Sequence, residues 1–187
     1  PRLETNTGYR TLGIHIAANG EMKHSMKIHR NISERFAGLL SNSTLNRVES
    51  YFAFTLYYYP KISYALPVTT YTKKECAYIQ APAMAAVLPK LGLNRHTART
   101  IINGTSKYGG LSLPDFYTDQ GIGQLRLLLG HMLAGDQTST LIVIEMSYLQ
   151  LIVGAKTQFF NLPYSKYEKW MEKTWLTSVW QFVSMAN

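Results

Sequence analysis

The sequence predicts a mainly α-helical fold: a short N-terminal β segment, a three-helix bundle, a connector, and further helices beyond it. Three observations carry this expectation. Apolar residues recur at helical spacing across residues 21–90 and again beyond residue 116. Helix-start signatures of the Ser/Thr-x-x-Glu kind stand at Thr72–Glu75 and Ser165–Glu168. Turn signals at Asn19-Gly20, Gly109-Gly110 and Gly135-Asp136 separate the periodic stretches. The chain divides accordingly into residues 1–20 (strand and turn), 21–90 (bundle), 91–115 (connector) and 116–187 (C-terminal helical region).

Residues 9–17 read as extended, and Asn19-Gly20 turns the chain. From Glu21 the period becomes helical, with Met22, Met26, Ile28, Ile32, Phe36 and Leu39 expected on the inner side. Ser41-Asn42-Ser43-Thr44 offers several N-caps. A second helix runs from about Leu45, with Leu45, Val48, Phe52, Leu56 and Tyr59 inward, and Pro60 kinks or ends it. The Tyr57-Tyr58-Tyr59 run reads as packing. Thr72 and Glu75 open a third helix through Cys76 and Ile79, bent near Pro82 and continuing to about Leu88. Three helices joined by short loops bury their apolar faces most economically as a bundle.

In the connector, Leu111 and Leu113 alternate around Ser112 like a short half-buried strand, and Pro114-Asp115 opens the next helix. Asp115 or Asp119 caps a helix bearing Ile122, Leu125, Leu128, Leu129 and Met132. Thr138 or Ser139 starts another that ends at Gly154. Phe159–Pro163 reads as a linker, and Ser165–Glu168 introduces a last helix carrying Trp170, Met171, Trp175, Leu176, Val179 and Phe182. Core packing is the first reading of its tryptophans, an oligomer surface the second.

The chemistry of this composition is narrow. The single cysteine, Cys76, excludes an internal disulfide and a two-cysteine zinc site, and fits a reducing compartment, cytosol or nucleus. Its helical position reads as a buried structural thiol. No uninterrupted apolar run approaches the roughly 18 residues of a membrane span, so no membrane partner is expected. Asp115, Asp119 and Asp136 are the only aspartates, and all stand where helices start or chains turn. The histidines lack a metal-binding spacing; His24 and His29 are five apart. Gly121 and Gly123 do not make a phosphate-cradling loop. No complete active site is present, and no metal or other cofactor is expected in this chain.

What remains is contact with a polyanion. The formal charge is +8, with a pI near 9.5, which suits nucleic acid and also suits a basic solvated surface. Lys23, Lys27 and Arg30 fall on one helix side at i, i+4 and i+7. Arg95, His96 and Arg99 lie within five residues, and Lys107 follows across the Asn103-Gly104 turn. Such side chains contact phosphates and give salt-dependent affinity without reading sequence.

Gly109-Gly110-Leu111-Ser112-Leu113-Pro114-Asp115-Phe116 resembles the "GG-L-x-L-P-D/N-F" segment that follows the thumb in reverse transcriptases of non-LTR retrotransposons. Arg10-Thr11-Leu12-Gly13-Ile14-His15-Ile16, with Asn19-Gly20 after it, is similar to the "K-x-LG-x-x-I" strand and turn that close their palm. The three helices between have thumb-like length, and Gln120-Gly121 with residues 125–131 resembles the helix after the GG segment in retroelement polymerases of protists and fungi. The family's "F/Y-x-D-D" palm motif is missing from this sequence, and Arg10 stands where lysine is common. The resemblance implies a piece cut from something longer: palm edge, thumb and connector, downstream of a palm that would hold Mg2+. It implies that the chain holds an RNA/DNA template–primer duplex and has the upstream palm and fingers of the same polyprotein as partners. Lys23, Lys27 and Arg30 would contact the duplex, and Leu12 and Gly13 would support the primer end. The expected function is therefore template–primer binding within an RNA-directed DNA polymerase, not catalytic alone. The other expectation is a helical partner-binding scaffold, or an inactive relic of a mobile element.

Overall fold

The structure, a computed structural model, describes residues 8–11 and 14–186. It is mainly helical, with one two-stranded sheet at its start. Strands β1 (Gly8–Thr11) and β2 (Ile14–Ala17) pair antiparallel, with Tyr9 opposite Ile16 and Arg10 opposite His15. The expected single extended segment is thus two antiparallel strands. Asn19-Gly20 turns the chain as predicted: Gly20 takes φ 74° and its N–H donates to the Ala17 carbonyl at 3.0 Å. The chain forms two compact units, residues 1–65 with 71–119 and residues 66–70 with 120–187.

The first unit holds the strand pair, most of residues 21–90 and the connector. Of the apolar row the sequence suggests, helix α1 (Lys23–Ser41) fully buries only Phe36. Its inner face is Ser25, His29, Ser33, Phe36 and Leu40, while Leu39 is 55% exposed. Tyrosines explain the difference. The Tyr71 hydroxyl donates to Ser25 Oγ at 2.9 Å and lies 3.0 Å from His29 Nδ1; the Tyr58 hydroxyl meets Ser33 Oγ at 2.7 Å. Buried polar groups are tolerated when each is hydrogen-bonded, and small seryl side chains leave room for the phenol rings. Burial pushes both phenols above their usual range. It also pulls His29 down to about 4, with the charge of His15 acting the same way.

The second helix also presents a different face. Asn46 caps α2 (Arg47–Phe52) in a reciprocal box with Glu49. A π-helical stretch, Ala53–Tyr58, follows, and α3 (Pro60–Ser63) comes next with Pro60 in its first turn. Proline crowds the carbonyl four residues back, and the wider π turn relieves this: the Tyr59 N–H donates five residues back, to Phe54. The helical path therefore passes Pro60. Phe54, Tyr58 and Ile62 point inward, whereas Val48, Phe52 and Leu56 of the expected inner face are exposed. Phe36, Phe54 and Phe116 surround the Tyr58 ring, the Phe36 ring stacked on it at 4.7 Å.

Helix α4 (Lys73–Lys90) begins with the predicted Thr72–Glu75 capping box and runs through Pro82 and Pro89. Cys76 is buried on it. In the connector, α5 (Arg99–Asn103) is followed by a tight loop rather than a strand. Leu111 and Leu113 donate their N–H groups to Ile101 and Ile102, and Ser112, at φ 52°, donates to Gly104. Gly110 lies against the Gly104 carbonyl so closely that a Cβ there would run into it. Asp115 then caps α6 (Phe116–Ala134), accepting from the Thr118 N–H at 3.0 Å.

In the second unit, α6 turns at Gly135 into α7 (Gln137–Val153), which is capped by Asp136 rather than Thr138 or Ser139. His131 and the Ser139 N–H, both bonded to Asp136, hold its carboxyl below the usual range. Gly154 ends α7 in the left-handed conformation, as expected. Phe159 is no linker residue: it is 2% exposed and packs on Trp180 at 5.1 Å. Ser165–Glu168 makes short 3-10 turns, with no side-chain cap. The last helix, α8 (Trp175–Ala186), starts later, where Thr174 and Thr177 exchange hydroxyl and amide hydrogen bonds. Of the three tryptophans, Trp180 is core, Trp175 is half-buried and Trp170 is exposed. Gly121 is a packing residue, because a Cβ there would lie only 2.3 Å from the Phe182 ring carbons. Among the described residues no single helix is long and apolar enough to cross a membrane; α6 and α7 are so only together, and they bend by 111°.

Two outcomes follow from the first unit. His29 binds a proton near pH 4 when folded and near its ordinary 6.5 when unfolded. Stability is therefore complete above pH 6.5 and declines as pH falls toward 4, by up to about 3 kcal/mol. Urea midpoints at pH 7.5 and 4.5 should diverge less in His29→Gln than in the wild type; equal divergence would exclude this source. Separately, Gly110→Ala should destabilise by about 2–4 kcal/mol, because backbone must move. Gly109→Ala, strained only by φ 80°, should lose about 1–2 kcal/mol, and thermal melts would rank the two.

Candidate nucleic-acid interface

The three α1 cations have different surroundings. Lys23 opens the helix with its side chain 81% exposed, 3.3 Å from Glu21 Oε2. Lys27, one turn on, is exposed and has no ion-pair partner among the described residues. Arg30 is tied down. Its Nε donates to Glu34 Oε1 at 2.7 Å, its Nη1 donates to the Tyr78 carbonyl, and its guanidinium lies 4.3 Å from the Tyr78 ring centroid. Arg30 thus clasps α1 to α4, and a duplex contact from it would compete with these bonds.

The connector cations are all exposed. Arg95 Nε donates to His96 Nε2 at 3.1 Å, and the His96 N–H donates to Asn94 Oδ1 at 2.9 Å. Arg99 begins α5. Lys107 stands in a 3-10 turn beside Tyr108, which is 83% exposed, with the ammonium 5.6 Å from the ring centroid. Arg99 shares a cavity with Lys73, Ala77, Gln80, Ala81 and Met84 of α4. Wound at about 100° per residue, Tyr78 lies roughly a third of a turn from the middle of that α4 face. The α1 and connector groups therefore reach α4 at different positions. Leu12 and Gly13 lie outside the described residues.

Sequence reasoning passed over a further basic cluster. Arg35 of α1 and Lys61 of α3 flank a cavity of about 310 Å³, with Tyr57 at its edge and no carboxylate in its lining. The Lys61 ammonium lies 3.4 Å from the Tyr57 ring centroid. Hydrogen bonding to Lys61, then the charge of that ammonium, holds the Tyr57 phenol below its usual range. The available signal was the four-residue spacing of Tyr57 and Lys61; treating the three tyrosines as one packing unit hid it. Only Tyr58 of the three is fully buried.

Charge is unevenly divided. The first unit's sequence has fourteen Lys and Arg against seven Asp and Glu, a balance of +7; the second has five against four, a balance of +1. No group of three or more His, Cys, Asp or Glu side chains among the described residues is placed to hold a metal ion. Comparison of the chain with protein-family models, curated proteins and solved structures finds no match.

The cations should separate by experiment. Arg30→Ala should lower stability by about 1–2 kcal/mol, through its lost hydrogen bonds and ring contact. Lys27→Ala should stay within about 0.5 kcal/mol of the wild type. Chemical denaturation of both variants checks this, and equal effects would remove the structural role given to Arg30.

Proposed function

We propose that the first unit holds an RNA/DNA template–primer duplex as the thumb and connector portion of a retroelement RNA-directed DNA polymerase, and is not catalytic alone. The observation that carries this reading is the concentration of positive charge on that unit, with exposed cations on α1 and along the connector. Exposed lysine and arginine release counterions from a nucleic acid backbone and bind it without reading bases. The resemblance of residues 10–16 and 109–116 to segments flanking a thumb supplies the enzyme class. The palm and fingers of the same polyprotein would supply the carboxylates and Mg2+, and a reducing compartment, cytosol or nucleus, suits the lone buried thiol.

A second reading, a helical partner-binding scaffold, has its own support in the second unit. Leu133, Leu141 and Leu151 there are 88%, 67% and 79% exposed, as residues of a protein contact surface are. Salt separates the two readings. Binding to an RNA/DNA hybrid should weaken steeply between 50 and 200 mM salt, with a log–log slope of about 0.9 per phosphate contact. The double variant Lys23→Glu/Lys27→Glu should lower that slope by about 2 on the same rule. A slope unchanged in the variant would sink the α1 assignment, and salt-insensitive binding would favour the scaffold.

A further inference from the structure

The cavity bounded by α4, α5 and the start of α6 combines features that a plain backbone contact does not need. Its volume is about 440 Å³, within the roughly 300–1,000 Å³ of small-molecule sites. Ala77, Ala81 and Met84 give it an apolar floor along α4, and the two cations of its lining, Lys73 and Arg99, come from the first residues of α4 and α5. Neither cation has an ion-pair partner among the described residues. The walls are fixed by the connector's own bonds: Gln80 Nε2 donates to the Pro114 carbonyl at 2.7 Å and Asn103 Nδ2 to the Leu113 carbonyl at 2.8 Å. The one carboxylate in the lining, Asp115, uses an oxygen to accept from the Thr118 N–H and hydroxyl, at 3.0 and 2.8 Å.

An apolar floor and two cations in one lining match a ligand with one planar ring and one anionic part. We propose that this cavity holds a single unpaired nucleotide, its base on Ala77, Ala81 and Met84 and its phosphate on Lys73 and Arg99. The proposal rests on the nucleic-acid reading above and adds a site for a nucleotide outside the duplex. The small alanine side chains let a base lie close to the helix, and the polarizable Met84 thioether suits a π face. Arg99 and Lys73 supply charge-assisted hydrogen bonds to phosphate oxygens.

Titration of the whole chain with adenosine 5′-monophosphate, adenosine and inorganic phosphate, followed by calorimetry, tests the site. The monophosphate should bind more tightly than either part. Arg99→Ala should weaken it about tenfold or more. Ala81→Leu, which fills the floor and leaves both charges, should remove monophosphate binding and spare phosphate binding. Both substitutions are at exposed positions, and circular dichroism verifies folding. Displacement of the monophosphate by a short single-stranded oligoadenylate would make a strand the source of the nucleotide; monophosphate binding that the oligonucleotide cannot displace would make it a free nucleotide, and either outcome supports the site. The proposal is overturned if the monophosphate binds no tighter than phosphate, if Ala81→Leu binds it like the wild type, or if millimolar monophosphate does not bind. Duplex binding that depends on Lys23 and Lys27 would survive such a result, so the two readings fail separately.

Discussion

The first unit depends on a buried polar seam along α1. Ser25, His29 and Ser33 face the phenols of Tyr71 and Tyr58, and each pairing satisfies a group that would otherwise be stranded out of water. A seam of this kind fixes register more strictly than an apolar one, because a slip of one residue breaks several hydrogen bonds at once. It also needs His29 neutral. With the helix register fixed, Lys23 and Lys27 face solvent and Arg30 falls against Tyr78. The exposure of Lys23 and Lys27 is thus a consequence of an interior arrangement.

The same seam explains where sequence reading succeeded and where it failed. Short-range signals were legible: the Asn19-Gly20 turn, the Thr72–Glu75 box, the Asp115 cap and the Gly154 stop depend on neighbours in the chain. The faces of the first two bundle helices were not, although Phe36 of α1, Ile79 of α4 and Leu176 and Val179 of α8 are buried where apolar spacing puts them. An apolar-periodicity argument places Met22, Ile28 and Leu39 inward, yet the partners of Ser25 and Ser33 lie 46 and 25 residues away. Nothing local marks a serine as a core residue. The middle helix failed differently: its buried row, Ser50, Phe54, Tyr58 and Ile62, keeps a four-residue spacing through the wider π-helical stretch, which leaves Val48, Phe52 and Leu56 outside it. At Ser165–Glu168 a sound local motif lost to tertiary packing, since Tyr164 and Tyr167 there set their rings on Trp180 at 5.2 and 5.8 Å.

The candidate site was legible as a list of residues and not as a surface. Sequence named Lys23, Lys27, Arg95, His96, Arg99 and Lys107, all of which are exposed. It also named Arg30, which is held by Glu34 and Tyr78, and it passed over Lys73, Arg35 and Lys61. The reason is physical: a cation's availability depends on what is folded beside it. Spacing along one helix reports only which cations share a side, while Arg30 is engaged by a residue on another helix.

The connector loop has an implication for its cations. Its bonds, Leu111 to Ile101, Leu113 to Ile102, Ser112 to Gly104 and Gly110 to Thr105, all close within about a dozen residues. The backbone between Arg99 and Lys107 is therefore fixed before any ligand arrives. A loose basic loop gives up conformational entropy when it settles on a phosphate backbone; this one gave it up on folding. Under the proposed nucleic-acid reading, only the side chains of Arg99 and Lys107 would be left to be immobilised.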